Sequence, residues 1–453
     1  MYQCDRGSVL LNQNPILSYV DDPDPSMNNQ IDRATNLVTS TLRYFCSLRD
    51  EKLEPINSCM LQYPFLFQST RIPQTTRDLN VRFPESQHLA ILHKGYLYTL
   101  QVLDEDWNII NTAALKARIE EIISDDRPVN ENSFGYFTTL DRVKWSKIRP
   151  KLEEMNKEML KAVDSALFVL CLDECTAVSA EEVLKNGLVG SGYNRWFDKS
   201  FSLIVTSNGK AGINWEHSWG DGVTIINMMD AVHADYLGHT PVVRGNGDKA
   251  ALRKVDLAID NDIMGHLKDA KKNFEAARLG YELVEFNSDA FGKDKIKKFG
   301  VSPDSVSQLI LQMAYWRTHG TCVGTYESCS TAAFRSGRTE TIRSCTSDTK
   351  NCSVAFDHDN PAVLSDLVEL LKKCSLKHVS LCREAAQGQG FDRHLFAMRV
   401  LNRWGGKDEL DLFTDPSWAK MSTIELSTST VGSPALQYYL GFGAVSPKGY
   451  GIG

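Results

Sequence analysis

Cysteine pairs at metal-binding spacing, long apolar runs and basic blocks are all absent from this sequence of 453 residues. No apolar run reaches the roughly 18 residues that a membrane-spanning helix needs. The 11 cysteines include no CxxC pair and no histidine spacing typical of zinc, which indicates free thiols in a reducing compartment and no metal centre. With 50 basic against 57 acidic side chains, the net charge of −7 argues against nucleic acid as a partner.

The first residues, MYQCDRGSVL, contain neither the apolar stretch of a signal peptide nor an Arg- and Ser-rich amphipathic helix. They therefore predict a soluble chain without a targeting signal of its own. Hydrophobic residues at 42% and charged residues at 24% are typical of folded globular proteins and exclude a disordered chain. The length predicts two or three domains, or one large enzyme with two lobes.

Several segments have the pattern of strands and turns. Residues His88–Asp104 predict a hairpin around the Lys94-Gly95 turn, because β-branched and aromatic residues lie on both sides of the glycine. A second hairpin is predicted from Phe201–Thr206 and Gly212–Glu216, closed by Asn208-Gly209. The apolar run Ala166–Leu172 predicts a buried strand.

A helical stretch is predicted near Gln30–Leu53, and the apolar period becomes helical again from about Val255. Ser302 precedes a capped helix that reaches Trp316, and Pro361–Ala386 has the apolar spacing of a helix with one buried face. Because strands and helices are mixed through both halves, we predict two α/β lobes with a boundary between residues 275 and 285.

The segment Glu216–Gly222 is the strongest local signal for chemistry. A single histidine is more often structural than catalytic, but His217 follows the predicted hairpin and precedes a glycine-rich turn that carries Asp221. Imidazole at a strand end, with a pKa near neutrality, is suited to act as a general base. The pattern therefore favours His217 as a catalytic residue.

Further motifs extend along the chain: Ser69–Pro73, Arg195–Phe201, Glu216–Gly222, Thr325–Thr331, Gly337–Arg343, Gly390–Leu395 and Ser427–Thr430. With these motifs the sequence resembles the choline/carnitine acyltransferase family. The Ser-Thr-Ser-Thr block and the sequences around Tyr326 and Phe391 are most similar to the family's mitochondrial, palmitoyl-transferring branch.

The resemblance implies an α/β (α+β) fold of two chloramphenicol-acetyltransferase-like lobes, each a mixed sheet flanked by helices, with an active-site tunnel at their interface. It implies an amino-terminal lobe over residues 1–278 with the catalytic histidine, and a carboxy-terminal lobe over residues 279–453 with the remaining elements. The implied reaction is reversible transfer of long-chain acyl groups between coenzyme A and the carnitine hydroxyl, in mitochondrial fatty-acid β-oxidation. Coenzyme A is then a co-substrate, and no cofactor is bound permanently.

In that reaction His217 would take the proton of the carnitine hydroxyl, and Ser429 would donate a hydrogen bond to the oxyanion. Without the other motifs, the block around Ser429 would be read as a polar strand or an ST-turn. Asp221 has two interpretations that the sequence leaves open. It either orients the imidazole, or it forms a salt bridge, for instance with Arg338, that only shapes the turn.

The implied carnitine-binding residues are Tyr326, Ser328, Thr339, Arg393 and Ser427. Among them Arg393 is the most discriminating, because a guanidinium is suited to bidentate binding of a carboxylate and choline has none. Its alternative interpretation is a surface salt bridge on a helix.

For coenzyme A, the resemblance implies that Lys293 and Lys297 bind the 3′-phosphate and that Asp304 binds the pantetheine arm. From composition alone, the lysine run would be a solvated charged face. The small residue Gly441 would leave an acyl tunnel open.

The family's leading helices, with their proline-rich entry, and its final strand and helix have no counterpart in this sequence. An apolar segment expected between Met60 and Leu61 is also missing, which would weaken peripheral association with the matrix side of the inner mitochondrial membrane. We therefore interpret the sequence as a fragment, a splice form or an incomplete gene model, and expect poor solubility or weak activity. The alternatives are a weak acyl-CoA- or partner-binding remnant and a medium- or short-chain carnitine acyltransferase.

Overall fold

The computed structural model describes residues 2–54, 59–238, 250–357 and 363–453, with only the backbone of 438 and 439. The chain forms two compact units. The first unit is Met1–Ile56, Met60–Glu285 and Val431–Phe442, and the second is Asn57–Cys59, Phe286–Thr430 and Gly443–Gly453. Val431–Phe442 thus lies in the first unit, although it follows the sequence of the second. The lobe limits 1–278 and 279–453 stay a prediction.

The first unit is built on an eight-stranded mixed sheet in the order β13-β1-β8-β7-β6-β4-β5-β9, with a separate two-stranded sheet β2-β3. The strands are β1 Ile16–Tyr19, β2 Ser69–Ile72, β3 Leu79–Arg82, β4 His88–His93, β5 Tyr96–Gln101, β6 Val169–Leu172, β7 Phe201–Val205, β8 Ala211–Trp215, β9 Leu252–Val255 and β13 Leu436–Gly441.

The described residues of the first unit form six α-helices: α1 Gln30–Arg49, α2 Thr112–Ile123, α3 Arg142–Ser165, α4 Ala180–Leu188, α5 Gly222–Leu237 and α6 Asn261–Leu279. Two apolar cores lie on the two faces of the large sheet. Leu89 and Ile91 of β4 belong to one core, and the alternate residues Ala90 and Leu92 to the other. Since both faces are covered, the central strands β6 and β7 are buried along their whole length, and most of their residues are apolar.

Both predicted hairpins are confirmed. β4 and β5 pair antiparallel across Lys94 and Gly95, whose φ angles of 50° and 77° suit the tight turn. β7 and β8 also pair antiparallel, with Gly209 at φ 79° in their turn. The strand predicted at Ala166–Leu172 is present in shorter form as β6, and all its residues are buried.

The second unit holds a four-stranded sheet in the order β11-β10-β12-β14, in which β12 is parallel to both neighbours. Its elements are α7 Lys293–Lys298, α8 Pro303–His319, β10 Thr325–Ser330, β11 Thr339–Ile342, α9 Ser347–Ala355, α10 Leu364–Ala386, α11 Asp392–Trp404, α12 Asp411–Thr414, α13 Pro416–Ser422, β12 Leu426–Thr428 and β14 Tyr450–Ile452.

The two helices predicted in this unit are confirmed in position. The Ser302 hydroxyl accepts from the backbone N–H of Ser305 and so caps α8, which continues three residues beyond the predicted end, to His319. α10 matches the pattern predicted over 361–386, of which residues 361 and 362 lie outside the described part of the chain. The predicted mixed α/β class is confirmed. Among the described residues no helix is both long and apolar enough to span a membrane, and the cysteines are free thiols.

Gly441 lies at the end of β13, opposite Ile16 of β1. A Cβ atom added at Gly441 would lie 2.9 Å from Ile16 Cγ2 and 3.5 Å from Leu184 Cδ2. A larger residue here would therefore displace the Ile16 side chain, which is a structural reason for glycine. Its role in an acyl tunnel stays a prediction.

Candidate active site

His217 lies two residues beyond the end of β8, in the first unit. Its backbone N–H donates to Gln13 O at 2.9 Å, and its ring Nδ1 lies 2.9 Å from the carbonyl oxygen of Gly220. Because a carbonyl oxygen only accepts hydrogen bonds, this contact requires the proton on Nδ1 and puts the basic lone pair on Nε2. The ring of Tyr2 stacks on the imidazole at 4.6 Å between centroids.

Asp221 is close to His217 without a direct hydrogen bond, since its Oδ1 lies 3.8 Å from His217 Nδ1. The side chain of Gln62 instead holds both the backbone and the carboxylate of Asp221. Gln62 Oε1 accepts from Asp221 N at 2.7 Å and from the Thr224 hydroxyl at 3.0 Å, and Gln62 Nε2 donates to Asp221 Oδ2 at 3.1 Å. Gln62 therefore caps the start of α5 and fixes the Gly220-Asp221 turn whose carbonyl orients the imidazole.

Glu216 connects the same turn to a buried cluster of ions. Its Oε1 accepts from Arg71 Nη1 at 2.7 Å and from the backbone N–H of Ser218 at 3.0 Å, and its Oε2 accepts from the Ser218 hydroxyl at 2.5 Å. The residues on both sides of His217 are thus held by one carboxylate that is 1% exposed.

Asp78 is the centre of this ion cluster. It accepts from Arg71 Nε at 2.7 Å, from Arg142 Nε at 2.6 Å and from Arg6 Nη1 at 2.9 Å. Burial by itself would raise the pKa of Asp78, but Arg142, the backbone N–H of Gln74 and Arg71 outweigh it and lower the pKa. Arg142 continues the cluster to Asp198, which also accepts from the Trp145 indole at 2.7 Å.

In the second unit, three residues of the predicted carnitine set meet. Arg393, in the first turn of α11, donates from Nη2 to the Tyr326 hydroxyl and to Thr339 Oγ1, both at 3.3 Å. Its Nε donates to the carbonyl oxygen of Thr339 at 2.9 Å. These contacts fix the guanidinium between β10 and β11, and none of the three is a salt bridge.

The sheet register brings the other two residues of the set close. Tyr326 pairs with Ser427 across the parallel strands β10 and β12. Ser328 is two residues from Tyr326 on the same strand, so both side chains lie on one face of the sheet. Ser429 directly follows the last pair of β12, and its backbone N–H donates to Ile452 O at 3.0 Å.

The predicted coenzyme A residues also lie in the second unit. Lys293 and Lys297 are exposed and one helical turn apart on α7, so their ammonium groups share a face. Asp304 is in the first turn of α8, where Oδ1 accepts from the Thr430 hydroxyl at 3.2 Å.

Around Asp304 there is a compact polar cluster. The ligating-type atoms of Asp304, Glu327, His378 and Cys382 all lie within 4.8 Å of one another. His378 Nε2 and Glu327 Oε2 form a buried pair at 2.8 Å. Burial tends to lower the pKa of His378, but the hydrogen bonds with Cys382 and Glu327 raise it to about 10. The buried, hydrogen-bonded pair of His378 and Glu327 is therefore the centre of the cluster.

Comparison with known proteins identifies the family. A family model described as choline/carnitine O-acyltransferase matches residues 1–453. The chain belongs to this family.

Mitochondrial carnitine O-palmitoyltransferase 2 of Xenopus tropicalis is 38% identical to this acyltransferase over 497 residues, covering 100% of this chain and 75% of the relative. A putative mitochondrial carnitine O-acetyltransferase of Saccharomyces cerevisiae is 32% identical, and the match covers 99% of this chain and 76% of that relative. The muscle isoform of carnitine O-palmitoyltransferase 1 from Rattus norvegicus is 32% identical, and the match covers 94% of this chain and 59% of that relative.

Among the residues of this acyltransferase that sequence reasoning missed, Gln62 and Tyr2 contact the His217 turn through their side chains. Gln62 is 159 positions from Asp221, and Tyr2 is similarly remote from His217. No local pattern marks either residue, because their roles arise only when distant segments pack together. A glutamine in a short 3-10 helix, Met60–Phe65, carries no sequence signal of its own.

We expect Gln62→Ala to lower kcat by about tenfold or more with little change in the KM for acyl-CoA, because the carbonyl that orients His217 loses its support. Steady-state kinetics would measure this. Gln74→Ala is the matched control, since the Gln74 side chain is exposed, and it should behave as the wild type. Equal kinetics of the two variants would contradict the role given to Gln62.

We expect Asp78→Asn to lower the free energy of unfolding at pH 7 by about 3–5 kcal/mol, because it leaves buried guanidinium groups without a charged partner. The folded-state pKa of Asp78 is lowered, so its contribution is present above the unfolded-state pKa and is lost as the pH falls. Urea unfolding at pH 7 and pH 4 should therefore show a smaller difference from the wild type at pH 4. The exposed Asp126→Asn is the control and should change neither value.

Proposed function

We propose that this chain is a carnitine O-acyltransferase that transfers long-chain acyl groups reversibly between coenzyme A and the carnitine hydroxyl. The observation that carries the proposal is the Arg393 guanidinium fixed against Tyr326 and Thr339, with Ser427 paired to Tyr326 across the sheet. A guanidinium among hydroxyl groups is suited to a carboxylate, which carnitine has and choline lacks.

In the proposed reaction His217 is the general base. With Nδ1 donating to Gly220, Nε2 accepts the proton of the carnitine hydroxyl, and the resulting oxygen nucleophile attacks the thioester carbonyl directly. The Ser429 hydroxyl donates to the oxyanion of the tetrahedral intermediate. When the intermediate collapses, the coenzyme A sulfur leaves and takes the proton from His217 Nε2. Neither a metal nor a covalent acyl-enzyme takes part in these steps.

Asp221 has an indirect role in this mechanism. At 3.8 Å its carboxylate favours a protonated imidazole through charge rather than through a hydrogen bond. This supports Asp221 as a residue that stabilises the imidazolium formed during proton transfer, while the Gly220 carbonyl sets the tautomer.

For coenzyme A, we propose that Lys293 and Lys297 bind the 3′-phosphate and that Asp304 contacts the pantetheine arm. Two ammonium groups on one exposed helical face suit a doubly charged phosphate in a partly wet site. Coenzyme A is a co-substrate in this proposal, and no permanently bound cofactor is required.

The preference for long acyl chains and the location are supported by the relatives. The Xenopus relative is named a mitochondrial palmitoyltransferase, and we propose the same substrate class here, on the matrix side of the inner mitochondrial membrane. The yeast relative, at 32% identity, is named an acetyltransferase, so short-chain transfer is the second candidate.

We expect His217→Ala to lower kcat by at least ~10²-fold while coenzyme A still binds, because only the proton acceptor is removed. Acylcarnitine formation and coenzyme A titration measure the two effects. His266→Ala, a partly exposed histidine of α6, is the control and should keep normal turnover. Near-normal turnover of a folded His217→Ala protein would eliminate His217 as the base.

We expect Arg393→Asn to raise the KM for carnitine by about tenfold or more, since a charge-assisted hydrogen bond to a carboxylate is worth ~1.5–3 kcal/mol. The KM for acyl-CoA should change little. Arg399→Asn on the same helix is the matched control, because Arg399 pairs with Glu409 at the surface. An unchanged carnitine KM in Arg393→Asn would place this residue outside the carnitine site.

The chain-length proposal is tested with purified protein, carnitine and either palmitoyl-CoA or acetyl-CoA. We expect kcat/KM to be at least tenfold higher with palmitoyl-CoA. A preference for acetyl-CoA would support the second candidate, and binding of acyl-CoA without turnover would support a remnant that only binds.

A further inference from the structure

Four side chains of the types that bind metal ions meet in the second unit: Asp304, Glu327, His378 and Cys382. Their ligating-type atoms all lie within 4.8 Å of one another. Glu327 and His378 are buried, whereas Asp304 and Cys382 are partly exposed. The four come from α8, β10 and α10. Because only His378 and Cys382 are close in the chain, the search for local cysteine and histidine spacings predicted no metal centre.

Two of these side chains share one face of α10. His378 and Cys382 are four residues apart, and Cys382 Sγ lies 3.6 Å from His378 Nδ1 and 3.9 Å from Nε2. His378 Nε2 lies 2.8 Å from Glu327 Oε2 on β10. In a tetrahedral zinc site, with bonds of about 2.0–2.3 Å, neighbouring ligand atoms are about 3.3–3.7 Å apart. Side-chain shifts of about 1 Å would therefore bring these four atoms to the tetrahedral arrangement.

The charges of the cluster favour a cation. It contains two carboxylates, Asp304 and Glu327, and one imidazole. Among the described residues, neither carboxylate forms an ion pair with a lysine or an arginine, and His378 is the partner of Glu327. Two carboxylates in one partly buried cluster repel each other. A divalent cation would compensate the excess of negative charge.

Hydroxyl groups outside the cluster orient both carboxylates. Glu327 Oε2 accepts from the Ser344 hydroxyl at 3.1 Å, and Asp304 Oδ1 accepts from the Thr430 hydroxyl at 3.2 Å. In metal sites, hydrogen bonds of this kind hold the ligating carboxylates in place. The carboxylates are thus supported as metal ligands usually are.

The chemistry of the donor atoms selects the metal. An imidazole nitrogen and a thiolate sulfur suit Zn²⁺, whereas Mg²⁺ and Ca²⁺ take oxygen ligands. Four protein ligands complete the coordination of Zn²⁺, which is typical of structural rather than catalytic zinc. The set therefore fits a structural zinc ion.

We propose that Asp304, Glu327, His378 and Cys382 bind one Zn²⁺ ion that connects α8, β10 and α10 and stabilises the second unit. The ion replaces the proton between His378 and Glu327 and the thiol proton of Cys382, and both protons pass to solvent. A carboxylate has two oxygens, so Asp304 can ligate zinc with one and still contact the pantetheine arm with the other. Zinc binding is measured without substrates, so its outcome is independent of the proposed acyl transfer.

The test is titration of the full, metal-free chain with Co²⁺ under reducing conditions, because Co²⁺ occupies zinc sites and absorbs visible light. We expect saturation at one equivalent, with the visible bands of a four-coordinate ion and a thiolate charge-transfer band in the near ultraviolet. Zn²⁺ should displace Co²⁺ and raise the Tm, since it binds the folded chain, and a chelator should reverse both effects. Mg²⁺ should produce neither effect.

Two ligand variants and a control locate the site. Cys382→Ser should remove the thiolate band and weaken Zn²⁺ binding by about tenfold or more, because the loss of even an outer-shell partner costs about 10- to 100-fold. Asp304→Asn should weaken binding similarly but keep the band. Cys345→Ser, which removes a partly buried thiol outside the cluster, is the matched control and should bind as the wild type does.

Three results would overturn the proposal: no saturable binding to the wild type, a thiolate band that persists in Cys382→Ser, or unchanged Zn²⁺ affinity in Asp304→Asn. Each variant is first checked for cooperative thermal unfolding. If Cys382→Ser does not fold, the wild-type titration and Asp304→Asn decide.

Discussion

The buried ion pair between Arg71 and Glu216 is the interaction on which the His217 turn depends. Arg71 comes from β2, and Glu216 directly follows β8, so the pair connects the small sheet to the large one. Both side chains are almost fully buried, and the desolvation cost of such ions is offset only when their hydrogen bonds are satisfied. Gln13, Asp78, Ser218 and the carbonyl oxygen of Tyr2 supply further partners.

In the same network, the loss of a single charged group costs more stability than the number of ion pairs suggests. Arg142 extends it from Asp78 to Asp198, and the Trp145 indole satisfies the second oxygen of Asp198. Each carboxylate is shared by several donors, so the loss of one partner leaves another buried charge unpaired. Rigid support of this kind lets a short loop hold an imidazole at a fixed orientation, which proton transfer requires.

Different interactions fix the His217 turn and the residues around Arg393. The His217 turn is fixed by a glutamine cap and by ions beneath it, whereas Arg393 is fixed by a tyrosine hydroxyl and a threonine of neighbouring strands. In both sets a carbonyl oxygen accepts from the functional side chain: that of Gly220 from the His217 imidazole and that of Thr339 from the Arg393 guanidinium. Backbone acceptors are suited to this task because the fold fixes their positions.

Much of the local structure was determined by the sequence alone. The hairpins at Lys94-Gly95 and Asn208-Gly209 follow from short-range turn chemistry, and the start of α8 follows from the Ser302 cap. The motif around His217 marked the candidate base, and the spread of family motifs marked Arg393, Ser429 and the lysines of α7. These signals are readable because each depends on residues that are close in the chain.

Only the tertiary structure decided the contacts between distant segments. It put Val431–Phe442 into the first unit, where β13 pairs with β1 and Gly441 packs against Ile16. It also brought Gln62 to Asp221 and Arg71 to Glu216. Pairing of this kind depends on shape and on the burial of charge across more than a hundred residues of chain. Local propensity and spacing carry no information on it, because the partners become neighbours only after the sheet has formed.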